Sequence, residues 1–219
     1  MDSSIQVKDL VKCFGEHRVL SGLSLSIAAG EAVAVTGPSG CGKTTLLNIL
    51  GLLDTPTSGS VCLLGKAYPP INSRSAMLLR RSAINYLFQS FALIDSKTVR
   101  DNLLLALYHT KLAKKEKLSH IQEMLGRFGV GDKLDSVVSE LSGGEKQRVA
   151  MSRAMLKPGD LILADEPTGS LDRRMANIVM DSLLRATRDA GKTLVMVTHD
   201  MTMADKCDRI LTMEEGRLV

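Results

Sequence analysis

Apolar and polar positions alternate along residues 5–13 (IQVKDLVKC) and, after a glycine-containing turn, again along 23–27 (LSLSI). A period of two marks strands with one buried face, so these segments predict an antiparallel pair. Residues 32–36 (AVAVT) differ: they form a continuous apolar run closed by Gly37. Such a run suits a strand buried on both faces of a mostly parallel sheet. Residues 161–164 (LILA) and 193–198 (TLVMVT) have the same character, and each runs into polar residues. That is the carboxyl edge at which open α/β sheets bind ligands.

Helix-period apolar residues occupy 99–111, 118–128 and 145–156, with Gly126, Gly129 and Gly131 read as breakers. A helical block is therefore expected between two core strands. The pattern predicts one α/β domain with a mostly parallel core sheet (about 1–89 and 158–219), an N-terminal antiparallel β subdomain and an inserted α-helical subdomain (about 90–157). Residues 55–59 (TPTSG) read as a turn, and no internal repeat or low-complexity segment is visible.

Composition narrows the class. At 219 residues the chain suits one sizeable core, and 3% aromatic content with no Trp means that core is built from Leu, Val, Ile, Ala and Met. The net charge of +4 is mild and scattered except at 111–117 (KLAKKEK), which reads as a solvated helix connection, so no nucleic-acid partner is expected. Neither a signal peptide nor a stretch approaching the ~18 apolar residues of a membrane span is apparent. Cys13, Cys41, Cys62 and Cys207 form no C-x-x-C pair, which fits a reducing cytoplasm.

Gly37-Pro38-Ser39-Gly40-Cys41-Gly42-Lys43-Thr44 fits G-x-x-x-x-G-K-[ST] between a buried strand and an apolar helix start at Thr45. This reads as a P-loop. Its glycines let backbone NH groups turn toward phosphates, the helix N-terminus adds positive potential, Lys43 reaches the outer phosphates and Thr44 ligates Mg²⁺. A P-loop alone leaves kinases, GTPases and motors open. At the end of the 161–164 strand, Asp165 and Glu166 are suited to hold a metal's water shell and to polarise an attacking water, although two acids there also suit a helix N-cap.

Around these residues the sequence resembles the ABC ATPase family. Leu141-Ser142-Gly143-Gly144-Glu145 resembles its signature, Ser170-Leu171-Asp172 its D-loop, Gln89 its Q-loop glutamine and His199 its switch histidine, in the family's order. The resemblance covers essentially the whole chain. It implies that Glu166, His199, Gln89 and Lys43 serve catalysis, and that Thr44, Gln89 and Asp165 hold Mg²⁺. Residues 37–45, Asp172, and Ser142, Gly143 and Gly144 of a partner chain would bind ATP in a head-to-tail homodimer. Phe14 resembles the aromatic residue that stacks on adenine, although a core Phe is an alternative. Cys41 sits at a helix start, so a thiol reagent is expected to inactivate the protein and ATP to protect it.

One P-loop and one signature, without a long heptad insertion, favour a transport subunit. Residues 53–59 (LDTPTSG) and 165–172 (DEPTGSLD) look like the lipoprotein-release and macrolide-export branch, and 86–99 is similar to bacteriocin-export ATPases. The implied partner is an integral membrane permease, and the implied place is the cytoplasmic face of a bacterial membrane. The implied cargo is a peptide, bacteriocin, antibiotic or lipoprotein-like molecule. A cell-division-type regulatory ATPase that moves no substrate is the alternative.

Overall fold

The computed structural model describes residues 3–169 and 171–219. The chain opens with β1 (Ser3–Phe14) and β2 (His17–Ala28), followed by β3 (Ala32–Thr36) and α1 (Lys43–Leu50). Next come β4 (Ser58–Leu63), β5 (Lys66–Ala67), α2 (Arg74–Ser82) and β6 (Ile84–Leu87). Three helices follow: α3 (Val99–Ala106), α4 (Lys114–Arg127) and α5 (Gly143–Leu156). The chain returns through β7 (Leu161–Asp165), α6 (Arg173–Asp189), β8 (Thr193–Val197), α7 (Met201–Ala204), β9 (Arg209–Glu214) and β10 (Arg217–Leu218).

Two sheets result. β2-β1-β4-β5 is antiparallel, with Val7 opposite Leu25 and Val61. The other runs β10-β9-β3-β8-β7-β6; all its neighbours are parallel except β10, which is antiparallel to β9. The continuous apolar runs have the reason expected of them, because successive residues enter different cores. Val33, Val35, Leu161, Leu163, Val195 and Val197 pack with α1 and the antiparallel sheet. Ala32, Ala34, Ile162, Ala164, Leu194 and Met196 pack with α3, α4, α5 and α6. Both faces of these strands are covered, so polar residues stand only at their ends.

The helices depart from the sequence reading at their ends. α1 begins two residues earlier than Thr45, with Gly42 as its N-cap in a left-handed conformation (φ 105°). α3 stops at Ala106, short of 111, and part of the basic 111–117 segment becomes the first turn of α4. Gly126 was expected to break a helix but lies within α4, because the helix terminates only where Gly129 takes φ +66°. The amphipathic α6, the longest helix of the chain at 17 residues among those described, has no counterpart in the sequence reading. Among the described residues, no helix is long and apolar enough to cross a membrane.

Candidate functional site

The order β3-β8-β7-β6 places four strand ends side by side along one edge of the parallel sheet. Register fixes their level: Val35 and Asp165 both pair with Val197, and Leu87 pairs with Ala164. Just beyond these ends lies a cavity of about 530 Å³ lined by Ser39, Gly40, Gly42, Lys43, Thr44, Thr45, Gln89, Asp165, Glu166 and His199. Residues from sequence-distant segments thus converge at the edge where parallel sheets place ligands.

The loop between β3 and α1 is held from within. Lys43 Nζ donates to the carbonyls of Gly37 (2.7 Å) and Pro38 (2.8 Å), which keeps a largely buried ammonium at the loop's centre. Gly37 has φ +142°, and a Cβ there would meet the Met213 carbonyl oxygen at 2.1 Å. Only glycine fits this crossing of the loop over β9. Cys41 is 7% exposed, with its sulfur 3.9 Å from Lys43 Nζ. That burial limits the access of a thiol reagent to the sulfur.

Thr44 Oγ1 lies 3.5 Å from Asp165 Oδ1, joining the start of α1 to the end of β7. Burial raises the Asp165 pKa from its ordinary value; the Thr44 hydroxyl and Lys43 oppose the rise, while Glu166 adds to it. No helix begins at Asp165 or Glu166, so the helix-cap alternative does not hold for this pair. Glu166 adopts φ +46°, a left-handed conformation that costs an ordinary residue about 1–2 kcal/mol. The bend directs its carboxylate to the end of β8. There it accepts from the backbone NH of His199 (3.1 Å) and the Thr198 hydroxyl (3.3 Å), and lies 2.8 Å from His199 Nδ1. The Glu166 carboxylate raises the His199 pKa.

Other expected residues lie elsewhere. Ser142 is the N-cap of α5: its hydroxyl and backbone NH donate to Glu145 Oε2 (2.7 and 2.8 Å), while its hydroxyl accepts from the Glu145 NH (3.3 Å). This capping box satisfies the helix start. The Ser142 bonds, helped by Lys133 at 3.2 Å, hold the Glu145 carboxyl down to about 2. Ser142, Gly143 and Gly144 do not line the cavity of their own chain. Asp172 caps α6, accepting from the Met175 NH at 3.0 Å, and also lies outside that lining. Ser170 lies outside the described residues. Phe14 is 53% exposed and sits under Lys12 Nζ (4.6 Å to the ring centroid), so it is not a core residue. It stands outside the cavity lining, whereas Val19, which the sequence reading did not single out, contributes to it. No local signal marks Val19, an ordinary strand residue.

The ABC transporter family model matches residues 20–169. The chain belongs to the ABC transporter family. It is 39% identical over 98% of its length to a macrolide export ATP-binding/permease protein of Nitrosomonas europaea, and 42% identical over 94% to one of Aeromonas hydrophila. These alignments cover 33% and 32% of the relatives, so the chain spans about a third of their length. Among solved structures, the dimeric post-hydrolysis ATP-binding cassette MJ0796 bound to ADP and Pi matches with TM-score 0.89 at 33% identity, covering 98% of this chain and 96% of that one. A cassette from Clostridium perfringens, part of an ABC transporter complex, matches with TM-score 0.88 at 28% identity, covering 100% and 88%. The α/β architecture with an antiparallel β subdomain is that of ABC ATPase cassettes.

Proposed function

We propose that this chain is the ATP-binding and ATP-hydrolysing subunit of an ABC exporter, which dimerises on nucleotide and drives an integral membrane permease. The convergence of Lys43, Thr44, Gln89, Asp165, Glu166 and His199 on one cavity carries this reading. In it, the β3–α1 loop and the N-terminus of α1 receive the phosphates, Lys43 supplies positive charge, and Phe14 offers its exposed ring to the adenine. Glu166 orients and polarises the attacking water, and His199 holds the Glu166 carboxylate in place.

The donor set fits Mg²⁺: a carboxylate at Asp165, the Thr44 hydroxyl 3.5 Å from it and the Gln89 amide at the same cavity are hard oxygen donors. When bound, the ion would neutralise charge on the phosphate oxygens. Ser142, Gly143 and Gly144 lie outside the cavity of their own chain yet open a helix with a satisfied cap. They serve the nucleotide of the other subunit, which requires the homodimer.

Residues 90–157 act as a subdomain on the core of 1–89 and 158–219. A groove of about 390 Å³ between them is lined by Leu53, Phe88 and Leu105 together with Arg80, Arg153 and Lys157, and by no carboxylate among the described residues. Its chemistry matches an acidic, partly apolar cytoplasmic segment of the permease. The complex would sit on the cytoplasmic face of a bacterial membrane, and the macrolide-export relatives favour a hydrophobic antibiotic or peptide as cargo over a purely regulatory role.

The test is Mg²⁺-dependent release of phosphate from ATP by the purified chain, together with copurification of a permease. Absence of hydrolysis in a correctly folded dimer would overturn the enzymatic reading. A permease complex that activates a cell-wall enzyme but exports nothing from vesicles would favour the regulatory alternative.

A further inference from the structure

The loop that follows β6 carries Gln89 and then makes a tight turn. The Phe91 NH donates to the Phe88 carbonyl at 3.1 Å, and the Ala92 NH to the Ser90 carbonyl at 2.7 Å. Phe91 (φ 62°) and Ala92 (φ 50°) are both left-handed, and neither is glycine. Two consecutive L-residues in this region are sterically disfavoured, so something outside the turn must hold them there.

That holder is on α5. Arg153 donates from Nη1 to the Ala92 carbonyl (2.6 Å) and from Nη2 to the Phe91 carbonyl (2.8 Å), one prong to each strained residue. Among the described residues no carboxylate pairs with the guanidinium, and burial alone lowers its pKa. Its hydrogen-bonding fork is therefore spent on this turn. Two helical turns nearer the start of the same helix, Lys146 Nζ reaches Asp95 Oδ1 at 3.2 Å, a second tether to the same loop. The helix that begins at Ser142 thus grips the loop bearing Gln89 at two points.

We propose that Arg153 is a positioning residue: it latches the strained turn at Phe91–Ala92 and thereby fixes Gln89 at the cavity. Its catalytic consequence rests on the role proposed above for Gln89, whereas the latch itself does not. Arg153→Met should raise amide hydrogen exchange across 88–95 by about tenfold or more in nucleotide-free protein, because the turn loses the only side chain bonded to its carbonyls among the described residues. It should lower kcat about tenfold while changing KM for ATP by less than about twofold.

Glycine adopts left-handed backbone without steric cost. Adding Ala92→Gly to Arg153→Met should therefore restore most of the lost kcat, and Ala92→Gly alone should change little. A general packing role for Arg153 would not be rescued in this way. Unchanged exchange in Arg153→Met, or no recovery in the double variant, overturns the proposal. If Gln89→Ala hydrolyses ATP at the parent rate, the role of Gln89 fails and the exchange measurement alone decides the latch. Arg153→Lys keeps the charge but not the planar fork and is read by the same measurements should Arg153→Met not fold. Failure of both variants to fold would make Arg153 structural and overturn the proposal.

Discussion

Glu166 Oε1 lies 2.8 Å from His199 Nδ1 and also accepts from the His199 backbone NH, so the end of β8 grips the carboxylate at the end of β7. His199 is otherwise exposed, and Glu166 is the main cause of its raised pKa. A histidine whose folded pKa is raised contributes stability that is fully present below its ordinary value of about 6.5 and is lost as pH rises through the raised value. His199→Ala should therefore flatten the part of the Tm–pH profile just above pH ~6.5, as read by calorimetry. A profile identical to the parent's would refute the coupling.

Glu166→Gln should bind ATP with near-parent affinity but hydrolyse it at least ~10²-fold more slowly, since an amide cannot take a proton from water. Gel filtration in ATP should then show an accumulated dimer. A monomeric, fully active variant would remove Glu166 from the mechanism.

Ser142→Arg places a bulky cation at the start of α5, away from the cavity of its own chain. ATP binding by the monomer should persist, whereas hydrolysis should fall by ~10²-fold or more, on the scale of losing one oriented anion donor. Nucleotide titration of the monomer separates the two. Weakened monomer binding would mean that Ser142 acts within its own chain.

Gly37→Ala would drive a methyl group into the Met213 carbonyl, at 2.1 Å, in a backbone region closed to alanine. Destabilisation of about 2–4 kcal/mol is expected, with loss of nucleotide binding. Urea unfolding checks the first and a fluorescent ATP analogue the second. Gly40→Ala, whose added Cβ meets nothing within 4 Å, is the control for left-handed strain alone.

Leu105 is 53% exposed on the groove proposed for the permease. Leu105→Asp should leave the free subunit's ATPase rate within about twofold, because surface changes of this kind act weakly on the fold. Copurification with the permease should be lost. Retained complex formation would place the docking face elsewhere.

The sequence by itself determined β3, β7 and β8 almost to the residue, because strands covered on both faces admit polar residues only at their ends and so announce those ends. It also determined the glycine-rich loop between β3 and α1, whose glycines and Lys43 are local requirements written at fixed spacing. The amphipathic α6 is locally encoded too, its buried Val179, Met180, Leu183 and Leu184 recurring at helix period. Tertiary structure alone decided what depends on strand order: that Thr44 meets Asp165, that Glu166 bends back to His199, and that Val19 rather than Phe14 lines the cavity. It alone put Ser142 away from the cavity of its own chain and set Arg153 under the turn beside Gln89. Contacts between residues tens of positions apart leave no periodicity in the sequence. They exist only once the sheet has ordered its strands.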